Sequence, residues 1–461
     1  MNEQEAHSDL TKVQEAQKVF FVSLGCPKNQ VDSELMLGEL RARNMEVVEE
    51  AELADLLVVN TCSFVEEARE ESVDTILDLA HVKANAKREQ KLVVTGCLPQ
   101  RYEKELKVEL PEVDHFLGTG DINKIGDLVA PQFGKPLPMA ARSKVGRPGY
   151  NYDAYSPRVQ TTPAWTSYVK IAEGCSQVCA FCIIPRLRGG QKSRLQDDIV
   201  TEVQRLADQG VKEINLIAQD LTHFGHDTKQ GESLASLLKK LVKIDGIHWY
   251  RLLYCYPHAF SDELIELIAN EPKIASYVDM PLQHIADPML ERMRRRFSEA
   301  DTRALCYKLR ERVPDLVFRT TFIVGHPGET QEEFERLYDF VKEMRFERMG
   351  AFKYSREDGT RSARMGDLVM GIIKEQRHHR LMSLQQGISS EIHANMIGRE
   401  MDLVIEGVSE ETDLLLQARS YGQAPKIDGL TYINEGWAEP GSFVRAEIVD
   451  AGDYDLVARI L

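Results

Sequence analysis

Cys175, Cys179 and Cys182 stand in EGCSQVCAFCIIPRLRGG, a C-x3-C-x2-C pattern directly after the expected strand SYVKIAE. Three thiolates on one short loop can hold three irons of a 4Fe–4S cluster and leave the fourth iron open to a cofactor. The loop would lie at the carboxyl end of a barrel strand, where such folds carry their chemistry. The plainer alternatives are a structural zinc site or unrelated thiols, but closed zinc sites want a fourth Cys or His, and this loop supplies none.

A second set is spread along the chain. Cys26, Cys62 and Cys97 each follow an expected strand, in VFFVSLGC, LLVVNTC and LVVTGC. Carboxyl ends of parallel strands share one edge of a sheet, so the three thiols are expected to converge into a second cluster site. A lone cysteine is more often a buried core residue. The recurrence of one placement three times, beside the turn-permitting Gly25, Asn60 and Gly96, weighs against that reading here. Cys255 and Cys306 lack such partners and read as packing residues, the alternative for Cys255 being a position facing the barrel mouth.

The elements that must position these cysteines follow from the apolar pattern. Residues 17–132 alternate short apolar runs with helical stretches near Asp32–Arg43 and Val65–Ala80, which predicts a small parallel α/β domain. Residues 133–160 are rich in Pro, Gly and polar residues and read as a linker. Residues 161–391 carry six candidate strands, SYVKIAE, EINLIA, WYRLLY, YVDMPL, LVFRTTFIV and MGAFKY, separated by helical patterns, which suggests a closed or partly open (βα)6 barrel. Residues 394–461 turn to short β-like runs, MDLVIEGVS, TDLLLQARS, SFVRAEIVD and LVARIL, expected as a small antiparallel barrel or sandwich. The fold class is thus multidomain α/β with a terminal β-barrel.

Composition narrows the function. The chain has 461 residues, 8 cysteines and a net charge of −16. So few cysteines are no disulfide scaffold, and reduced thiols suit a cytoplasmic protein. Residues 1–17 have no apolar core of a signal peptide, and no long uncharged apolar run follows, so no membrane association is expected. The acidic balance speaks against tight nucleic-acid binding through phosphates. From Glu391 to Leu461 there are 14 Asp and Glu against 5 Lys and Arg, a net of −9. That surplus would attract a basic protein partner, or merely solubilise the domain.

The C-x3-C-x2-C loop, with Gly174 before its first cysteine and Phe181 before its third, resembles the signature of the radical S-adenosylmethionine superfamily. Over essentially its whole length the chain resembles the methylthiotransferase family. SLGCPKNQVDSE, NTCSFVEEAREES, CAFCIIPRLRG and MPLQHIADPML look like the branch that modifies a ribosomal protein. Transfer-RNA-modifying relatives tend to read differently around the first cysteine and at Gln283 and His284. The resemblance implies a cluster-binding domain, a radical core and a TRAM barrel. It also implies two 4Fe–4S clusters, on Cys26, Cys62 and Cys97 and on Cys175, Cys179 and Cys182. S-adenosylmethionine would serve twice, as radical source at the second set and as methyl donor to sulfur carried at the first. The implied substrate is the β-carbon of an aspartate in the twelfth protein of the small ribosomal subunit, and the electrons would come from a protein such as flavodoxin or ferredoxin.

No acid/base dyad stands out beyond the clusters. Gln219, Gln283 and Gly325, with Asp220, His284 and Glu329, fall at expected strand ends and could line the cofactor site, although lone polar residues are usually satisfied locally. GHPGE is by itself a weak nucleotide signal. Arg186, Arg188, Lys192 and Arg194 could meet a carboxylate of cofactor or substrate, the plainer reading being a solvated basic stretch. Two rival functions are the same chemistry on adenosine in transfer RNA, for which RMRRRF at Arg292–Phe297 is the only dense basic run, and a non-catalytic iron–sulfur or RNA-binding scaffold.

Overall fold

The computed structural model describes residues 16–129 and 143–461; residues 133–142, the first ten of the expected linker, and the amino-terminal fifteen lie outside the described residues. The chain forms two compact units, residues 1–150 with 156–159, and residues 151–155 with 160–461.

The first unit is built on a six-stranded parallel sheet. Its elements run β1 (Gln17–Ser23), α1 (Pro27–Arg41), β2 (Met45–Val47), β3 (Leu56–Thr61), α2 (Glu66–Asn85), β4 (Lys91–Gly96), α3 (Cys97–Glu109), β5 (His115–Leu117), α4 (Ile125–Val129) and β6 (Ser143–Lys144), with strand order β2-β1-β3-β4-β5-β6. Every residue of β3 is buried, as expected for a central parallel strand covered on both faces. Leu57, Val59, Leu92, Val94 and Phe116 pack with Ile76 and Leu79 of α2 into one core. β2, β5 and β6 were not anticipated, each having only two or three residues.

The second unit opens with β7 (Thr166–Lys170) and β8 (Ala172–Glu173), then α5 (Ile184–Arg188), β9 (Lys192–Ser193), α6 (Gln196–Asp208), β10 (Glu213–Ile217), α7 (Leu234–Leu241) and β11 (Trp249–Leu252). It continues through α8 (Asp262–Asn270), β12 (Ile274–Asp279), α9 (Asp287–Arg292), α10 (Glu299–Arg312), β13 (Val317–Val324), α11 (Gln331–Met344), β14 (Arg348–Lys353) and α12 (Gly371–Ala394). All six expected strands form one parallel sheet in the order β14-β13-β12-β11-β10-β7, so the barrel is open between β7 and β14. Capping boxes at Ser233, Ser298 and Thr330 start α7, α10 and α11. Cys255 and Cys306 are buried in the main apolar core, as packing residues should be.

The terminal segment is a closed barrel of β15 (Glu400–Val408), β16 (Leu416–Ser420), β17 (Thr431–Glu435), β18 (Phe443–Ala451) and β19 (Leu456–Ile460). Four pairings are antiparallel, and β17 with β19 is parallel. The barrel seats against the amino ends of the core strands. Glu213, the first residue of β10, accepts from Arg251 Nη2 at 3.1 Å and from Arg419 Nη2 at 2.7 Å, and all three side chains are fully buried. Arg419 also reaches Glu406 at 2.7 Å, and Lys212 Nζ donates to the Gly441 carbonyl at 2.8 Å. The cysteine loop lies past the opposite, carboxyl end of β7.

Candidate functional site

In the first unit the register brings the separated cysteines together. β1, β3 and β4 are neighbours, Ser23 pairs with Asn60, and Thr61 pairs with Gly96. Cys62 and Cys97 therefore leave the sheet side by side, one residue beyond a paired position, while Cys26 follows Ser23 by three. Cys26 caps α1, with Pro27 as its first helical residue, and Cys97 is the first residue of α3. Two helix amino termini thus face this edge, and their positive dipole ends favour an anionic group there.

The turns are tightly held. Gly25 has φ +89°, and a Cβ there would stand 2.8 Å from Cys62 Cβ and 3.2 Å from its sulfur. Gly96 has φ +99°, and its Cβ would lie 2.4 Å from Asn60 Oδ1. Only glycine tolerates both the left-handed backbone and the approach. Asn29 joins the strand ends, its Nδ2 donating to the carbonyls of Leu24 at 3.0 Å and Thr61 at 2.9 Å, while its Oδ1 lies 3.9 Å from Cys97 Sγ. Asn60 Nδ2 donates to the Asn29 carbonyl and to Ser33 Oγ, each at 2.9 Å. From the sequence Asn60 is expected only as a turn residue, and nothing in the pattern singles out Asn29.

In the second unit the antiparallel pair β8–β9 brackets the loop from Gly174 to Gln191. Cys175 N donates to the Gly189 carbonyl at 3.0 Å, and Gln177 N donates to Cys175 Sγ at 3.4 Å. Gly174 has φ +78°, and a Cβ there would meet the Gly190 carbonyl oxygen at 2.4 Å. Phe181 packs on Ala286, Met289 and Met293, and Cys179 on Tyr256, Leu290 and Phe297. The thiols are close enough to oppose one another's ionisation. Burial above all pushes Cys175 up to about 11, with Asp220 and Cys179 adding to the rise and the Gln177 amide opposing it; burial raises Cys182 further still. Bound cations would reverse that logic. Among the described residues no three His, Cys, Asp or Glu side chains converge as one chelated ion requires, whereas a cluster meets each thiolate through a different iron.

The other expected site residues divide. Gln219 Nε2 donates to Glu173 Oε1 at 2.8 Å, but its Oε1 is buried without a hydrogen-bond partner. Gln283 holds φ +74° with its backbone bonded to Thr321 and Ile323, so a non-glycine residue takes a strained conformation at the strand end. His284 is satisfied locally, accepting from Ala286 N at Nδ1 and meeting Glu329 at 3.2 Å through Nε2. Glu329 is held by Gly325 N at 2.6 Å and Arg377 at 2.5 Å. Asp220 accepts from Gln177 and Thr222. The solvated reading of the basic stretch fails for two members. Arg188, the last residue of α5, is buried beside Glu173, and Arg194 is buried between Asp198 and Glu202, each at 2.6 Å, where the chain pairs back along β8. Arg186 and Lys192 are exposed.

Comparison with known proteins places these features. The model of uncharacterized protein family UPF0004 matches residues 18–118, that of the radical SAM superfamily residues 169–341, and that of the TRAM domain residues 397–461. The ribosomal protein uS12 methylthiotransferase RimO of Pelobacter propionicus is 50% identical over 446 residues, covering 97% of this chain and 98% of its own. The protein of the same name in Myxococcus xanthus is 51% identical over 443 residues, 96% of this chain and 91% of its own. Among solved structures, the radical S-adenosylmethionine methyltransferase TsrM from Kitasatospora setae, with cobalamin and a 4Fe–4S cluster bound, aligns with a TM-score of 0.56 at 16% identity, over 75% of this chain and 77% of its own. That likeness speaks to fold alone.

Proposed function

The chain belongs to the ribosomal protein uS12 methylthiotransferase family, and from that premise we propose that it methylthiolates the β-carbon of an aspartate in the small-subunit protein uS12. It is a radical S-adenosylmethionine enzyme. The observation that carries the reading is the near-full-length identity to the two relatives, on a chain whose cysteines gather at two separate strand-end sites.

Cys175, Cys179 and Cys182 would hold one 4Fe–4S cluster and Cys26, Cys62 and Cys97 another, within domains spanning 161–391 and 17–132, the TRAM barrel spanning 394–461. When bound, the first cluster with S-adenosylmethionine supplies a 5′-deoxyadenosyl radical that can remove hydrogen from an unactivated carbon. The chain's own residues hold that cofactor and keep water out. The orphaned Gln219 Oε1 and the strained Gln283 are the polar groups at strand ends that remain to be used, while Gly325 turns the loop that Glu329 secures. Asn29, Asn60 and the two glycines fix the strand ends around the other thiols.

Charge favours a basic protein over RNA. Of the five Lys and Arg between Glu391 and Leu461, Arg399, Arg419, Arg445 and Arg459 are paired with carboxylates, leaving no basic track on the barrel. Arg292 of the RMRRRF run pairs with Glu333. Electrons would come from a flavodoxin- or ferredoxin-like protein in the cytoplasm; among the described residues no helix is long and apolar enough to cross a membrane.

The test is anaerobic incubation of reconstituted enzyme with S-adenosylmethionine, reductant and either uS12 or unmodified transfer RNA, read by mass spectrometry. A gain of about 46 mass units on a peptide aspartate, H replaced by SCH3, is expected. The same gain on adenosine and none on the peptide would overturn the substrate.

A further inference from the structure

The basic run RMRRRF does not behave as a run. Arg294 and Arg296 are exposed, but Arg295 turns inward against the cysteine loop. Its Nη1 donates to Cys179 Sγ at 3.4 Å and its Nη2 to the Pro281 carbonyl at 2.7 Å. The guanidinium lies over the Tyr256 ring at 4.2 Å and the Phe297 ring at 5.0 Å, which fixes its plane. Two further donors here are unused: Arg295 Nε is buried without a partner, and the Tyr256 hydroxyl, whose oxygen faces the Arg296 amide, donates its proton to nothing. Buried donors left unmade are costly, so two beside one thiol point to an acceptor that belongs there. Tyr256 also packs on Cys179, together with Leu290 and Phe297.

We propose that Arg295 and Tyr256 form a donor shelf that hydrogen-bonds the sulfur atoms of the iron–sulfur cluster on its Cys179 side and raises its reduction potential. This rests on the reading of Cys175, Cys179 and Cys182 as ligands of that cluster. One-electron reduction adds one unit of negative charge to the cluster, the electron coming from an external one-electron donor. A cation and hydrogen-bond donors held in a low-dielectric pocket stabilise the more negative state, and hydrogen bonds to sulfur are a principal control of such potentials. Arg295 and Tyr256 are tuning residues; they touch a ligand sulfur rather than the reacting carbon.

The experiment is a redox titration followed by electron paramagnetic resonance, with dithionite as reductant, on the full chain carrying Cys26→Ala, Cys62→Ala and Cys97→Ala so that one cluster reports. In that background, Arg295→Gln is expected to lower the potential so that the reduced-to-oxidised ratio at the parent midpoint falls about tenfold, or about 59 mV for one electron. Arg295→Lys, which keeps the charge but loses the planar fork, falls between. Tyr256→Phe shifts less, in the same direction. Coincident midpoints in all variants with iron content intact would overturn the proposal. Should Arg295→Gln lose its cluster, Arg295→Lys and Tyr256→Phe decide by the same criterion. Failure of the parent chain to bind iron would instead overturn the ligand assignment and the proposal with it.

Discussion

Gly96 and Gln219 show two ways in which a single residue serves a site. At Gly96 the positive φ and the 2.4 Å approach to Asn60 Oδ1 leave no room for a methyl group. Gly96→Ala is expected to cost about 1–3 kcal/mol and to displace the adjoining Cys97. A lower denaturant midpoint together with iron lost from the amino-terminal site checks this; an unchanged iron content would separate the glycine from the site. Gln219 makes one bond to Glu173 and leaves its carbonyl oxygen buried and unused. Gln219→Leu is expected to weaken S-adenosylmethionine binding about fivefold to tenfold, the worth of one hydrogen bond, with iron content retained. Equal affinity in variant and wild type would remove Gln219 from the cofactor site. Residues of this kind were legible to different degrees. The six cysteines stand out by spacing and by their placement after apolar runs, whereas Arg295 is hidden in a run of like charges whose members face opposite ways. Asn29 carried no signal, because its role appears only when Leu24 and Thr61 become neighbours.

Elements of ordinary length were readable and short ones were not. The six core strands stand out as apolar runs between amphipathic helices, and each forms where expected, though β12 begins at Ile274, before the run YVDMPL. β17 was missed because TYINE sits between turn residues in KIDGLTYINEGW and borrows its pairing from β16 and β19. The parallel pairing of β17 with β19 was equally invisible, since alternation sets which face is buried and says nothing of strand direction. Between the core sheet and the terminal barrel lies a charge network that no local pattern could reveal. Burial opposes the charge on Glu213, but Arg419 and Arg251 outweigh it and hold the carboxyl down to about 2, below its ordinary 4.5. The sign follows: the stabilisation is complete above pH 4.5 and is lost as pH falls towards 2. Glu213→Gln leaves two buried guanidinium groups short of a counter-charge and is expected to cost about 3–5 kcal/mol at neutral pH. Compared with wild type, the variant's unfolding free energy should lack the acid slope in that window; parallel pH profiles would contradict the assignment.

At the scale of the whole molecule, two units that fold around separate parallel sheets each present three cysteines beyond the carboxyl ends of their strands. The same geometric device is used twice, once with the thiols on three different strand ends and once with all three on a single bracketed loop. A net charge of −16 and a terminal barrel whose cations are nearly all paired suit a basic protein substrate better than a nucleic acid. Iron counting distinguishes two independent cluster sites, as proposed, from one. Anaerobically reconstituted wild type should hold about eight irons per chain, and the variants with either Cys26, Cys62 and Cys97 or Cys175, Cys179 and Cys182 replaced by Ala should each hold about four. Unchanged iron in either triple variant, or loss of all iron from both, would rule out two independent sites.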